Sequence, residues 1–439
     1  MRKMMLSKVL WGAAALLLLL PVCAEEAPPA PTPAATPSLS LQDCLAIALK
    51  NQADILVGQN SVQSAKARVT QSKSGYYPQL AVSNTLFVSR AGGNTGGSGL
   101  GNTGTGTALS VSQNFYDGGI REANVRGAAA NVLQDRYALD RTTQTVTFAV
   151  TSDYLAVLRQ QKLASVTDAQ VKYLQGQLTL VQTRVELGAS AKVDTLPVQS
   201  SLANALVDQL ATRNAVRTAA VTLQNDMGVN PGADFAVQDI VLPTDAPIQS
   251  LDAYTALGLA KRPDVLQTKA GVESAKASTS ARKILLRPYP VVSGQFDQPL
   301  SGSKSNVMTI NGGLAFDLFD GGNNRAAYHD AQANLSSAQV RAAQVEKDIR
   351  ANVQSAYLNL TNAKERLAAS DLSVQSAQQN LDAQQERYQQ GLAIPLDLLN
   401  AQLTLITAQS NAVQARYDYY TALAQIDYAT GTQGGLYGK

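Results

Sequence analysis

The chain of 439 residues contains one pattern twice, and this duplication constrains its fold more than any other feature. The stretch FYDGGIR at residues 115–121 returns as LFDGGNNR at residues 318–325, so the two aspartates are 203 residues apart. At this offset the two copies align without a gap from Asp117 to Gly228, and before Asp117 the offset is 210 residues. Two accidental turns would not keep such a long register. The sequence therefore predicts two copies of one architecture.

Within each copy the hydrophobic period changes twice. A helical stretch comes first, then two stretches in which apolar and polar residues alternate, then a helical period again. The alternating stretches are about ten residues long, which suits tilted strands that cross a hydrocarbon layer. The predicted first helical stretches are residues 40–75 and 251–286, and the predicted strand pairs are about 79–116 and about 290–319.

The helical period that follows each DGG continues unusually far. From Ile120 to Leu187 it covers about 68 residues, or about 100 Å of helix. In the second copy, apolar residues recur with the 4-3 spacing of a coiled-coil seam, in which the many alanines allow close packing. These seam positions are Ile349, Val353, Ala356, Leu360, Ala363, Leu367 and Val374.

Each DGG is predicted to be the point where a strand ends and a long helix begins. The aspartate can cap the new helix, and the glycines allow the chain to turn sharply. The residues of these two predicted turns are Asp117, Gly118, Gly119, Asp320, Gly321 and Gly322.

The N-terminus has the pattern of a secretory signal peptide at residues 1–24, with basic residues, a short apolar run and the small-residue ending PVCA. Cleavage after Ala24 is favoured over lipidation of Cys23, because Val22 is too bulky for a lipidation signal. Residues 25–38 are proline-rich and are predicted to form an extended tether. The remaining predicted segments are a first repeat at 39–232, a linker at 233–250, a second repeat at 251–431 and a tail at 432–439.

Composition indicates neither a nucleic-acid partner nor a metal cofactor. Loss of the three basic residues of the signal peptide takes the formal charge from +3 to 0. One histidine, His329, and one mature cysteine, Cys44, are too few for a His/Cys metal site. GLGNTG, residues 99–104, matches a nucleotide-binding motif by letter, but another strand follows it, so a flexible surface loop is favoured. No catalytic constellation emerges, and the sequence predicts neither an enzyme nor a cofactor.

Two related stretches, RVELGASAKVDTL (184–196) and RYQQGLAIPLDLL (387–399), are predicted to be the tips of helical hairpins. Gly188 and Gly391 are expected to end the long helices as C-terminal caps. Asp397 falls in the first turn of the next helix, where the helix dipole favours an anion. Simple capping is one interpretation of both Asp194 and Asp397.

The ordered combination of signal peptide, duplicated halves, strand pairs, DGG turns and glycine-marked hairpin tips resembles the TolC-like outer-membrane factor family. The resemblance covers about Leu39 to Gly431 and includes the prolines that begin the strand pairs, Pro78 and Pro290. It implies a mainly α protein with a small transmembrane β part. In this family three chains with four strands each close a twelve-stranded barrel, which an α-helical tunnel continues through the periplasm. The implied partners are outer-membrane lipid, a periplasmic adaptor and an inner-membrane pump for efflux or type I secretion.

The resemblance also implies roles for residues at the periplasmic end. Tyr388 and Asp194 occupy the positions of a tyrosine–aspartate latch, and Asp397 occupies the first acidic ring of the aperture. The second acidic position is Asn400 here, and the family's latch arginine is Ala393, so closure should be weaker or made differently. The tip residues that match the adaptor-docking surface are Gly188, Gly391, Leu187 and Leu392.

Two other classes of protein remain open at this stage. One is an exported structural coiled-coil protein without a pore, which leaves the alternating stretches unexplained. The other is a surface adhesin that uses the glycine-rich loop. For a membrane duct, the loop from Ala91 to Gly106 is predicted to be extracellular, because it joins two membrane strands and is polar.

Overall fold

The computed structural model describes residues 38–89, 102–232, 235–240, 247–301 and 305–432. The predicted signal peptide, the tether as far as Pro37, the loop residues 90–101 and the tail from residue 433 lie outside the described residues.

Eight α-helices lie within the described residues, four in each copy, and their order repeats. Each copy has two short helices, a helix of 67 residues and a helix that returns along it. The short helices and the starts of the long ones lie where the sequence predicts them. The first copy contains α1 (Leu41–Asn51), α2 (Ala53–Lys73), α3 (Ile120–Glu186) and α4 (Thr195–Asp226). The second contains α5 (Leu251–Lys261), α6 (Pro263–Ile284), α7 (Asn323–Gln389) and α8 (Pro395–Thr430).

A single residue with extended backbone separates the two short helices of each copy. These residues are Gln52 (φ −65°, ψ 126°) and Arg262 (φ −68°, ψ 128°). A glycine in the left-handed region packs onto each break. A Cβ on Gly228 would lie 2.9 Å from the carbonyl of Asn51, and one on Gly431 would lie 3.1 Å from the Cα of Arg262. Gly228 and Gly431 are equivalent positions in the two copies. In each copy, the end of the last helix therefore packs against the break between the two short helices.

Four strands form one antiparallel sheet in the order β2-β3-β5-β6. They are β2 (Gln79–Ser89), β3 (Asn102–Asp117), β5 (Tyr289–Pro299) and β6 (Val307–Ala315). A second, parallel pair joins β1 (Ser38–Leu39) to β4 (Ala236–Val237). This small pair contains the last residue of the predicted tether and part of the predicted linker, and the sequence pattern did not predict it.

The strand boundaries differ from the prediction at two places. β3 is 16 residues long and begins at Asn102, inside the segment predicted as a loop, because β2 pairs with it as far as that residue. β6 ends at Ala315 rather than near residue 319, because β5, its partner among the described strands, begins at Tyr289, which pairs with Ala315. Leu318 and Phe319 are left 92% and 91% exposed.

The main core lies where α1, α3, α7 and α8 pack together. The predicted seam of α7 is confirmed at six positions, which are buried, and Val374 is partly buried in a second cluster near the tip. The buried seam residues are Ile349, Val353, Ala356, Leu360, Ala363 and Leu367. Tyr154 of α3 is fully buried. Its hydroxyl shares its one proton between the carbonyls of Leu39, in β1, and Gln238, the residue after β4, which ties the small sheet to the long helix.

Candidate functional site

The long helices α3 and α7 end in the same way, and both ends confirm the predicted glycine caps. Gly188 and Gly391 have φ of 76° and 75°. At the first tip the N–H of Ala189 donates to the carbonyl of Arg184 at 2.8 Å, and at the second the N–H of Leu392 donates to that of Arg387 at 2.8 Å. Together with the glycine N–H bonds, these are Schellman motifs, which satisfy the last carbonyls of a helix and require a left-handed residue.

An aspartate closes the turn after each cap. The Asp194 carboxylate accepts from the backbone N–H of Ala191 at 3.1 Å, and the Asp397 carboxylate accepts from that of Ile394 at 3.3 Å. The local capping interpretation of both aspartates therefore holds. Asp397 is exposed, so capping leaves its charge in contact with solvent.

The tips present apolar side chains to solvent. Leu187 is 78% exposed and Leu392 is 65% exposed, although both lie next to ordered backbone turns. Four more exposed apolar residues surround them, and we call these six residues the tip patch: Leu187, Val193, Leu196, Leu392, Ile394 and Leu396. A group of exposed apolar side chains is typical of surfaces through which proteins contact partners.

The two tips are joined through Tyr388. Its ring is buried, and the guanidinium carbon of Arg184 lies 4.5 Å from the ring centroid. Tyr388 and Asp194 do not form a hydrogen bond in the single chain. The Tyr388 hydroxyl has no hydrogen-bond partner among the described residues. Ala393 packs against the cluster that contains Tyr388 and so stands in an apolar contact. Asn400 is exposed three residues after Asp397, hence on the same side of α8.

The two DGG turns confirm the predicted capping. Asp117 accepts from the N–H groups of Gly119 and Arg121, at 3.3 and 3.0 Å. Asp320 accepts from Gly322 and Asn324 in the same way, at 2.9 and 2.7 Å. The N–H of Asn324 and the other backbone donors hold the pKa of Asp320 below its usual value. The glycines that follow each aspartate all have positive φ, from 67° to 94°.

An arginine that the sequence analysis missed fastens the first of these turns. Arg121 donates to the carbonyls of Gly75, Asn114 and Phe115 at 2.8 to 3.2 Å, and it lies over the ring of Tyr76. It thereby connects the turn after α2, the end of β3 and the start of α3 at one point. In the second copy the equivalent residue is asparagine, so the clamp is present once per chain.

The four-stranded sheet has two different faces. Residues paired across a sheet point to the same side, and successive residues point to opposite sides. One row across the strands is Leu80, Val111, Phe296 and Met308, and the next row is Gln79, Ser112, Gln295 and Thr309. We call these the apolar face and the polar face. Leu80, Val82, Leu86, Met308, Ile310 and Leu314 on the apolar face are each more than half exposed in the single chain.

None of the helices in the described part of the chain combines the length and the apolar composition that a membrane-crossing helix requires. The same residues contain no group of three or more His, Cys, Asp or Glu side chains arranged to hold a metal ion.

The sequence profile of the family described as "Outer membrane efflux protein" matches two segments, residues 45–229 and 256–432. The chain belongs to this family. The two matched segments of this efflux protein correspond to its two copies, and the resemblance stated from the sequence is confirmed.

Individual proteins agree with the family assignment of this efflux protein. Outer membrane efflux protein BepC of Brucella suis biovar 1 (strain 1330) is 27% identical over 403 residues, which cover 90% of this chain and 86% of that protein. Outer membrane protein TolC of Escherichia coli (strain K12) is 24% identical over 84% of this chain and 77% of its own length. The crystal structure of the outer membrane protein VceC from Vibrio cholerae has a TM-score of 0.77 at 16% identity, covering 89% and 96% of the two chains. That last likeness shows that the two chains share a fold of long helices with a small β part.

Proposed function

We propose that three copies of this chain form an exit duct in the outer membrane for efflux or type I secretion. The duct passes substrates from an inner-membrane pump and a periplasmic adaptor to the exterior. The observation that carries the proposal is the four-stranded sheet, which combines an apolar face, a polar face and two outer strands that each pair on one side only. Such alternation is what a membrane strand needs when it separates lipid from a water-filled lumen.

The open edges support assembly. Among the described strands, β2 pairs only with β3, and β6 only with β5. Unpaired N–H and C=O groups are not tolerated in hydrocarbon, and membrane barrels have about eight strands or more. One sheet is therefore too small, whereas three copies of four strands would supply twelve.

The DGG turn of the second copy has the exposure expected of such an assembly. In the first copy, Phe115 and Tyr116 belong to β3, with β5 alongside. Their equivalents, Leu318 and Phe319, are almost fully exposed, because none of the described strands lies beyond β6 to cover them. We propose that β2 of a neighbouring copy covers this turn.

Detergent extraction and conductance test the function. An outer-membrane duct should need detergent, migrate as a heat-sensitive trimer and produce channels in planar bilayers. A protein that stays soluble without detergent and does not conduct would support the structural coiled-coil alternative. Antibody access on intact cells to a tag within residues 91–101 reports whether this end faces outward, and labelling only after the outer membrane is breached would contradict the topology.

The tip patch is the proposed docking surface for the adaptor. It combines exposed apolar residues with backbone turns that Gly188 and Gly391 hold in the same geometry. Because the two tips adjoin through Arg184 and Tyr388, one adaptor hairpin could contact both.

Asp397 is proposed to form the acidic ring of the aperture. Three like charges across a narrow opening would concentrate cations and repel anions. We expect Asp397→Asn to lower cation preference and weaken block by divalent or trivalent cations, while the trimer persists. Asparagine keeps an oxygen that can accept from Ile394, so capping survives and only the charge is lost. Reversal potentials in a salt gradient measure the effect, and values equal to those of the unaltered protein would leave Asp397 as a cap alone.

Tyr388 and Asp194 are proposed to keep the aperture closed in the assembly. A hydrogen bond to a charged group contributes about 1.5–3 kcal/mol, so Tyr388→Phe should raise single-channel conductance. It should barely change the stability of the single chain, in which this hydroxyl has no described partner. Tyr154→Phe is the matched control, because it removes hydrogen bonds in the core and should lower stability without opening the channel. Unchanged conductance in Tyr388→Phe combined with Asp194→Ala would place the latch elsewhere.

A further inference from the structure

The four-stranded sheet carries almost no charge. Across the described residues of β2, β3, β5 and β6, the only Asp, Glu, Lys or Arg besides Asp117 at the end of β3 is Asp297. A lone charge in a membrane sheet is informative, because its face decides whether it meets lipid or water.

Asp297 belongs to the polar face. It pairs across the sheet with Ser110 of β3 and Val307 of β6, and it alternates with Phe296 of the apolar face. The Gln295 amide, two residues away on the same face, donates to the Asp297 carboxylate at 2.8 Å. The side chain is partly buried, so its charge is held in place while solvent still reaches it.

Asp297 is also far from the helices. β5 begins at Tyr289, shortly after α6 ends at Ile284, and Asp297 lies eight residues along the strand. At about 3.3 Å per residue this is about 26 Å along the strand, or about 20 Å along the membrane normal for a strand tilted by about 40°, which is most of the height of a membrane barrel wall. The residue therefore lies at the end of the sheet opposite the long helices.

We propose that Asp297 lines the lumen near the outer mouth of the barrel, where its three copies set a preference for cations over anions at the exit. This inference rests on the proposed trimeric duct and adds a second charged ring, at the opposite end from Asp397. The ring favours small inorganic cations and hinders anionic solutes as they leave.

The contributions of the two charged rings to ion selectivity can be distinguished by their dependence on ionic strength. The Debye length is about 30 Å at 0.01 M salt, about 10 Å at 0.1 M and about 3 Å at 1 M. Charges on the wall of a wide barrel reach the lumen centre only when the Debye length is comparable with the radius. The contribution of Asp297 is therefore large at low salt and vanishes near 1 M, whereas that of Asp397 in a narrow aperture persists to higher salt.

The test is the reversal potential of Asp297→Asn in planar bilayers, measured across matched KCl gradients at low and high mean salt. We expect the variant to lose roughly half of the cation preference at about 0.01–0.1 M and to match the unaltered protein near 1 M. In a second variant, Ser110→Asp is added to Asp297→Asn, which returns a carboxylate to the directly paired position on the same face. This relocation should restore the low-salt preference.

An unchanged low-salt reversal potential in Asp297→Asn would overturn the inference while leaving the duct intact. So would a failure of Ser110→Asp to restore the preference in channels that still conduct. If Asp297→Asn did not assemble, the single variant Ser110→Asp would decide instead, since an added carboxylate on this face must then increase the low-salt cation preference. Absence of any channel from the unaltered protein would contradict the proposed function itself.

Discussion

Replacing Gly228 with alanine should destabilise the protein by about 2–5 kcal/mol, the largest loss that we expect from a single methyl group in this chain. Gly228 has φ of 69°, and a Cβ there would lie 2.9 Å from both the carbonyl carbon and the carbonyl oxygen of Asn51. Neither of these atoms belongs to a flexible side chain, so the break between α1 and α2 would have to move. The midpoint of thermal unfolding, followed by circular dichroism in detergent, measures the loss.

Gly188→Ala is the matched control for this experiment. Gly188 has φ of 76° and also follows a helix end, but a Cβ there would meet nothing within 4 Å. Gly188→Ala should therefore lower the free energy of unfolding only by the cost of a left-handed backbone, about 1–2 kcal/mol. Equal losses in the two variants would mean that the contact with Asn51 relaxes without resistance, and Gly228 would then be needed for its dihedral angles alone.

Placing arginine at Ile310 should prevent or strongly impair insertion of the barrel. Ile310 lies in the middle of β6 on the apolar face and is 66% exposed in the single chain. A basic residue facing lipid at the bilayer midplane destabilises a membrane barrel by about 2–4 kcal/mol, and each trimer would carry three. The yield of heat-sensitive trimer in the outer-membrane fraction, together with urea titration of protein refolded into lipid, reports the effect.

Asn311→Arg is the control that isolates the direction of the side chain. Asn311 adjoins Ile310 on an exposed strand and points to the polar face. The same substitution there should leave the trimer yield nearly unchanged, because the guanidinium would lie in water. Equal damage at both positions would contradict the assignment of the two faces, and with it the orientation of the sheet in the membrane.

Much of this fold could be predicted from the sequence, because the repeat and the hydrophobic periods depend on residues that are close together in the chain. The register of the two copies, the starts of the long helices and the capping by Asp117 and Asp320 follow from residues within a few positions of one another. The ends of the long helices are also determined by nearby residues, since the caps at Gly188 and Gly391 bond only to carbonyls of the preceding helical turn. The roles proposed for the tip residues come from the family resemblance, because no periodicity of the sequence indicates them.

What the sequence did not predict depends on contacts between distant segments. The second neighbour of β3 is β5, almost two hundred residues later, and the β1–β4 pair joins the end of the predicted tether to the predicted linker. In the sequence, Arg121 is one of many charged residues on a helix, and only the fold shows that it donates to the carbonyls of Gly75 and Asn114. Asp297 did carry a readable signal, as the lone charge in an alternating stretch, and its face became clear only from the pairing with β3 and β6.

Because the two long helices have 67 residues each, a small rotation at one end displaces the other end by a large distance. A helix about 100 Å long that pivots by about 5° at its DGG turn carries its far end sideways by about 9 Å, close to the width of a helix. In the proposed duct, dilation of the periplasmic end would thus require only a small change at the DGG turns, beside the four-stranded sheet. The two long helices differ at this turn. Arg121 joins the start of α3 to Gly75 and Asn114, whereas the side chain of the equivalent Asn324 donates to Asp317. We therefore expect the hairpin of the second copy, which carries Asp397, to pivot with less resistance than the hairpin of the first.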